Sequence, residues 1–395
     1  MRATCDHVFF MDPMRGILMA LGVLLHSAQV FNAEKSWLIY SEASSTIAEH
    51  LVMVIHLFRM PAFFIVSGFF TLLTLGKYGP KEFLKLRMER VLVPLVVVAL
   101  TINSLQAWIL AESGWRTFTL TQYLLGGQWI SHLWFLVYLL VFFVLSYSSA
   151  HLARFIPRRV LISLQSLLIT LPLWVVLLVM PVYYLALLTA AKLFPALYRP
   201  WLGVLSLYDL FYFLQFFCFG IVLCAYRPLF KSFTELSVTK TGFLLVVWLF
   251  AFFCAEGLEY DIIKKIAQSY SAILVVWIGC HFVFSLFKKY GDRPSTFSMF
   301  TASVSYTVYL FHHVLVIVFG LLLIQLNIGG TPGLILLASS VLLTTVLIDL
   351  FVISRYSLAS YLFNGVRVRG RPYSHVISKR SDKRNSESQK SLPHR

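Results

Sequence analysis

Apolar runs of about twenty residues, broken by short polar connectors, recur along the whole chain, and each is long enough to cross a hydrocarbon core as a helix. Ten such spans are predicted, near residues 14–32, 50–75, 91–111, 132–149, 160–187, 206–225, 242–255, 269–287, 303–325 and 333–354. The fifth is long and interrupted by Pro172 and Pro181, and the seventh is short, so both are expected to tilt or break. The runs are continuous, not alternating, which excludes the strand pattern of a membrane β-barrel. The predicted fold class is therefore all-α: a polytopic integral membrane helical bundle, in which each helix satisfies its own backbone.

Composition agrees: 59% of the 395 residues are hydrophobic and 13% charged, and mean hydropathy is +0.79, too apolar for a soluble fold. Charge adds orientation. With both termini cytoplasmic, the inner segments and the C-terminal tail carry 26 Lys and Arg, the outer loops carry 6, and Arg59 alone lies inside a span. That asymmetry follows the positive-inside rule, so the net charge of +16 reflects topology and implies no nucleic-acid partner. The N-terminus lacks a basic region and a small-residue cleavage site, so the first helix is expected to stay attached. Residues 1–355 are read as the transmembrane domain, and residues 356–395 as a basic, disordered cytoplasmic tail whose Arg367, Arg369 and Arg371 lie against anionic lipid. The five cysteines show no metal-ligand spacing, no metal site is predicted, and no phosphate-binding or dinucleotide motif occurs.

Ionisable groups are expensive in lipid, so those inside spans are functional candidates. The stretch FFMDPMRGILMALGVLLHSAQVFN puts Asp12 and Arg15 at the mouth of the first helix and His26 eleven residues further, roughly 16 Å along at 1.5 Å per residue. The second span, HLVMVIHLFRMPAFFIVSGFFTLLTL, carries His56 and Arg59 on one face. Counted from the outer boundary, they reach roughly the depth of His26, which suggests a shared cavity. Ser67 and Gly68 follow on that helix and suit either cavity lining or close helix packing. At its inner end, KYGPKEFLKLRMERVLVP holds five cations, Arg87 and Arg90 among them, a set that suits a phosphate-rich ligand. QWISHLWFLVYLL places His132 and Trp134 at the outer interface, within reach of a sugar, and SVSYTVYLFHHVLVIV places His312 and His313 near mid-membrane. Adjacent imidazoles on a helix point to different faces, so only His313 is expected in the cavity.

DPMRG with its following His, HLFRMPAFFIVSGFF, KLRMERVLVP, ISHLWFLVYLL and SYTVYLFHHV, in that order, resemble acyltransferase family 3 over roughly residues 9–355. The resemblance implies an enzyme of the bacterial cell inner membrane, multi-pass, that moves an acyl group from cytoplasmic acyl-CoA to a glycan hydroxyl outside. It implies no permanently bound cofactor, with acyl-CoA as co-substrate. It maps His26 onto the catalytic histidine, and Arg15, Arg87 and Arg90 onto the donor-binding set, with Asp12 orienting Arg15. Among family members the likeness is to those that succinylate periplasmic glucans, which points to succinyl-CoA and a glucan as substrates. On chemical grounds a neutral His26 would serve as general base and Arg59 or His56 as oxyanion stabiliser. A succinyl carboxylate would compete for Arg59. Two other classes stay open: a transporter of an anion or glycan, although no inverted repeat is detected, and a structural subunit working with glucan-synthesis proteins.

Overall fold

In the computed structural model, residues 8–117, 119–152, 172–256, 260–293 and 295–366 are described. Eight helices among them are long and apolar enough to span a membrane. They are α2 (Thr46–Tyr78), α3 (Pro80–Glu112), α5 (Ser131–Leu152), α6 (Leu173–Leu193), α7 (Leu207–Ala225), α10 (Asp261–Gly291), α11 (Thr296–Gln325) and α12 (Gly330–Ile353). Helix α1 (Met11–Val30) and the apolar segment Thr241–Phe253 of α9 (Val238–Glu256) match the remaining two predicted spans. Short helices α4 (Leu120–Leu125), α8 (Arg227–Thr234) and α13 (Ser357–Asn364) complete the order. The bundle is all-α among the described residues, as the continuous apolar runs require.

Helix α1, which carries Asp12, Arg15, His26 and Gln29, sits inside the bundle. It packs against α2, α11, α10 and α12, and buries residues on every side, from Met11 and Met14 to Ala28 and Val30. Burial in protein explains how a helix with so many polar groups stays in a membrane, because none of them has to face lipid.

Small residues set the closest approach. Helices α2 and α7 cross with Gly68 against the Phe217 carbonyl and Gly220 against the Ile65 carbonyl. A Cβ built at either glycine would lie 1.9 and 2.0 Å from those oxygens. Gly68 is thus a packing residue, as small residues at membrane-helix contacts commonly are. Gly220→Val is expected to force the two backbones apart and to destabilise the bundle by about 1–3 kcal/mol, read as a lower melting temperature in detergent.

The two faces of the bundle are distinct. On one, loops meet: Arg116 donates to the Trp37 carbonyl (3.2 Å), Tyr40 packs edge-on against Trp115, and the Gly330 amide donates to the Ala43 carbonyl (2.9 Å). The start of α1 and the end of the described chain lie together on the other, where Arg15, Asn364 and Val366 line one cavity.

Two local expectations change and one feature is new. The fifth span was expected over 160–187, interrupted at Pro172 and Pro181. Residues 160–171 lie outside the described set, and the helix begins just after Pro172, whose backbone is extended, and runs on to Leu193. Pro181 lies inside that helix. The polar tail was expected to be unstructured from Tyr356, yet Ser357–Asn364 is helical, because Phe363 packs on Phe311 and left-handed Gly365 closes the helix against the Glu89 carbonyl. The tail arginines lie outside the described residues. Finally, α3 is interrupted by a π-turn, Met88–Leu92. Such turns insert an extra residue and recur at functional sites.

Candidate active site

Two polar centres lie along α1. The first is a cavity of about 440 Å³ on the face that carries the start of α1. Arg15, Arg87 and Arg90 line it, with Ser67, Thr74, Ser303 and Tyr306. Deeper walls are apolar: Met19, Phe63, Val66, Leu136 and Leu139. Asp12 sits 4.0 Å from Arg15, so the acidic residue and the first arginine meet as the helical spacing suggests. Arg87 is held by the Phe70 carbonyl (3.1 Å) and Thr74 Oγ1 (3.0 Å), and its guanidinium lies over Phe83 and Phe143. Arg90 falls in the π-turn, whose carbonyl accepts the Tyr306 hydroxyl (3.1 Å). Neither Arg87 nor Arg90 has a carboxylate partner among the described residues. A cationic mouth over an apolar throat suits a ligand with an anionic head and a slender uncharged arm.

The second centre surrounds His26. Its ring packs 5.6 Å from Trp37, 5.3 Å from His312 and 5.0 Å from His313, and His132 stacks nearly parallel on His313 at 4.7 Å. His26 Nδ1 lies 2.7 Å from Gln29 Oε1, and an amide oxygen can only accept, so Nδ1 carries the proton and Nε2 keeps its lone pair. The Gln29 amide donates onward to His56 Nε2 at 3.5 Å. His313 Nδ1 donates to Gln106 Oε1 (2.7 Å), and His312 Nδ1 donates to the Tyr309 carbonyl (2.7 Å). Three histidines therefore share one tautomer, with Nε2 as an acceptor. That is the arrangement a general base needs, because the fixed Nδ1–H orients the ring.

Arg59 stands between the centres. It is 5% exposed, its Nε donates to the Leu18 carbonyl (3.1 Å), and its guanidinium lies against Gly22, where a Cβ would fall 2.2 Å from Nη2. Only glycine leaves room for that cation at the α1 surface. Gly22→Ala is expected to keep the helix and displace the guanidinium, lowering turnover about 100-fold with the protein still folded, as misplacement by about 1 Å can do. Steady-state kinetics on a monodisperse sample would check it.

Several sequence expectations are revised by this geometry. Both His312 and His313 approach His26, because its ring is wedged between α11 and the loop bearing Trp37 and can touch two neighbouring faces of α11. His132 and Trp134 were expected side by side at the interface, and they separate. Ser131–Leu133 is a 3-10 turn of about three residues per turn, so residues two apart face different ways. His132 is buried with both ring nitrogens unpaired, whereas Trp134 lines another cavity with Phe213. Ser67 belongs to the arginine cavity. His56 is exposed and reaches His26 through Gln29. Gln29, three residues past His26, was legible from helical spacing, as was Gln106 as a polar residue in an apolar span. Trp37 had no signal, since it sits in a loop.

A family model described as an acyltransferase domain matches residues 8–355. The chain belongs to the acyltransferase 3 family. The arginines of the first centre and the histidines of the second fall within the matched region, in a bundle with eight helices long and apolar enough to cross a membrane among the described residues. Curated relatives of the chain carry the name glucans biosynthesis protein C. That of Salmonella schwarzengrund (strain CVM19633) is 33% identical over 141 residues, 34% of this chain and 36% of the relative. That of Salmonella gallinarum (strain 287/91 / NCTC 13346) is 31% identical over 159 residues, 38% and 40% of the two chains. The alignments thus span well under half the length of these relatives. No solved structure matches the chain.

Proposed function

We propose that the protein is an acyl-CoA-dependent O-acyltransferase of the bacterial inner membrane. On this reading it moves an acyl group, succinyl by likeness to the glucan-biosynthesis relatives, from the cytoplasmic side to a hydroxyl of a periplasmic glucan. One observation carries the reading: the arginine cavity and the histidine cluster sit at the two ends of one buried helix, eleven residues apart, with a buried cation between them. On this reading the arginine-lined face, where the start of α1 and the end of the described chain meet, is the cytosolic one, in keeping with the distribution of Lys and Arg.

The donor's phosphates bind Arg15, Arg87 and Arg90, with Asp12 steadying Arg15, while the uncharged arm runs along the apolar throat. A glucan hydroxyl approaches from the opposite face. His26 Nε2 removes its proton as the oxygen attacks the thioester carbonyl, and the negative charge that develops on the carbonyl oxygen is met by Arg59. Collapse of the tetrahedral intermediate breaks the carbon–sulfur bond, and the departing thiolate takes the proton from His26. His56 keeps Gln29, and through it the His26 ring, in place.

Arg90→Gln is expected to raise the donor KM about 10- to 100-fold with little change in kcat, since a charge-assisted hydrogen bond contributes about 1.5–3 kcal/mol to binding. The test of the whole reading uses proteoliposomes with labelled succinyl-CoA outside and glucan enclosed, the protein oriented with its arginine face outward. Labelled glucan ester is the expected product. Passage of intact donor or of free anion without ester formation would overturn the proposal in favour of transport, and no reaction at all would point to a structural subunit.

A further inference from the structure

A second cavity, of about 380 Å³, opens on the loop face, opposite the arginine mouth, and has no place in the scheme so far. Its walls include Ser131, Trp134, Tyr138, Asp209 and Phe213. Its size falls in the range of small-molecule sites. The three rings form a continuous wall, with Trp134 to Phe213 at 5.3 Å, Trp134 to Tyr138 at 5.8 Å and Tyr138 to Phe213 at 5.9 Å. The Tyr138 hydroxyl is committed to the scaffold, donating to the Val204 carbonyl (3.2 Å) and accepting from the Ser206 amide (3.1 Å). One Asp209 oxygen accepts from Ser206 Oγ (2.6 Å), which leaves the other as an acceptor for a ligand.

The rim is built from two loops pressed together. Gly127 and Gly203 both have positive φ, of 70° and 69°, and a Cβ on Gly203 would meet the Gly126 carbonyl carbon at 2.1 Å. Ser131 and Leu202, at φ of 48° and 50°, hold the same unfavourable conformation without being glycine. Strain of this kind persists only where surrounding structure imposes it. The site also adjoins the chemistry. Ser131 Oγ accepts from Gln106 Nε2 (3.2 Å), Gln106 Oε1 accepts from His313, and the His313 ring lies 5.0 Å from His26.

The chemistry of these walls selects a ligand class. Aromatic faces attract the weakly positive C–H face of a pyranose ring. A carboxylate accepts strong hydrogen bonds from hydroxyls. The lining holds no cation, so it disfavours anions, and a hydrocarbon would leave the second Asp209 oxygen without a donor. We propose that this cavity is a glycan subsite that holds one neutral sugar residue on Trp134 and Asp209 and places the next part of the acceptor beside the histidine cluster. The inference rests on the glycan-acceptor reading above and adds the residues that select the acceptor.

The experiment uses purified full-length protein, with binding of a β-linked glucotetraose followed by calorimetry and its succinylation by steady-state kinetics. Trp134→Ala and Asp209→Asn are each expected to weaken glucotetraose binding and raise its KM about 10- to 100-fold, while the succinyl-CoA KM moves less than twofold. Trp134→Phe, which keeps a flat ring, recovers most of the affinity. Wild type prefers glucotetraose over an analogue ending in glucuronate, and Asp209→Asn narrows that preference, a readout that a merely structural role for Asp209 would not move. If the protein succinylates glucan but both variants leave the acceptor KM and the charge preference unchanged, the subsite is overturned and the transferase reading stands. If glucotetraose binds and is lost in the variants without any transfer, the subsite stands and the transferase reading falls. No binding of glucotetraose by wild type would overturn the subsite outright.

Discussion

His26→Ala is expected to lower kcat by about 100- to 10,000-fold, the usual contribution of a positioned general base, with the donor KM within twofold of wild type. The reason is geometric. A sugar hydroxyl is a poor nucleophile at neutral pH, and the Nδ1–H bond to Gln29 leaves His26 Nε2 as a lone-pair acceptor in an oriented ring. His26→Gln, close in volume, should fall equally far, which separates lost chemistry from lost packing. His312 also has its Nδ1–H tied to the backbone and its Nε2 buried without a partner, so His312→Gln tests how far the function is shared. Its expected effect is smaller, about 10-fold. Mass spectrometry of glucans from cells carrying each variant gives the same ranking in vivo. Unchanged succinylation with His26→Ala would remove the histidine from the mechanism.

Arg59→Met is expected to move activity and stability in opposite directions. Activity falls about 100- to 1,000-fold, the loss typical when one preorganised oxyanion donor is removed. Stability rises by about 1–3 kcal/mol, because Arg59 is a buried cation without a carboxylate partner among the described residues, and an apolar chain of similar length avoids its desolvation cost. Arg59→Lys should not rescue, since a lysine loses the Nε bond to Leu18 and presents a different donor geometry. Melting temperature in detergent and single-turnover rates decide the matter together. A variant that loses both activity and stability would make Arg59 a structural residue. Retaining both would mean that neither burial nor position matters. A cation held at a cost in stability is the pattern expected where function maintains a locally unfavourable group.

The two effects share one cause, the position of α1. It carries Asp12, Arg15, His26 and Gln29, yet it occupies the interior, in contact with α2, α10, α11 and α12. Surrounded by protein, Arg59 and the histidines interact in a medium of low polarity, where a preorganised charge or lone pair acts strongly on a developing charge.

Much of this was written in the order of residues. The continuous apolar runs determined an all-α membrane bundle, because hydrocarbon admits only helices or closed barrels and the runs do not alternate. The spacing of Arg15 and His26 determined that one helix carries a group at each end, since 1.5 Å per residue fixes their separation. Arg87 and Arg90 announced themselves by clustering at one boundary, whereas Gly68 suited either cavity lining or packing until the crossing of α2 and α7 was in place. What the sequence could not determine was direction around each helix axis and the course of the connectors. A rotation of 100° per residue makes His312 and His313 look mutually exclusive until the third body, His26 wedged beneath Trp37, is in place. The 3-10 turn that parts His132 from Trp134 depends on a left-handed Ser131, held there by its neighbours and not by its own preference. Gly22 acquires meaning only when Arg59 from another helix lies across it, the chain having returned to the same spot. Helical periodicity is local and can be read from residue types; the meeting of side chains from separate helices is a property of packing, and only the tertiary structure decided it.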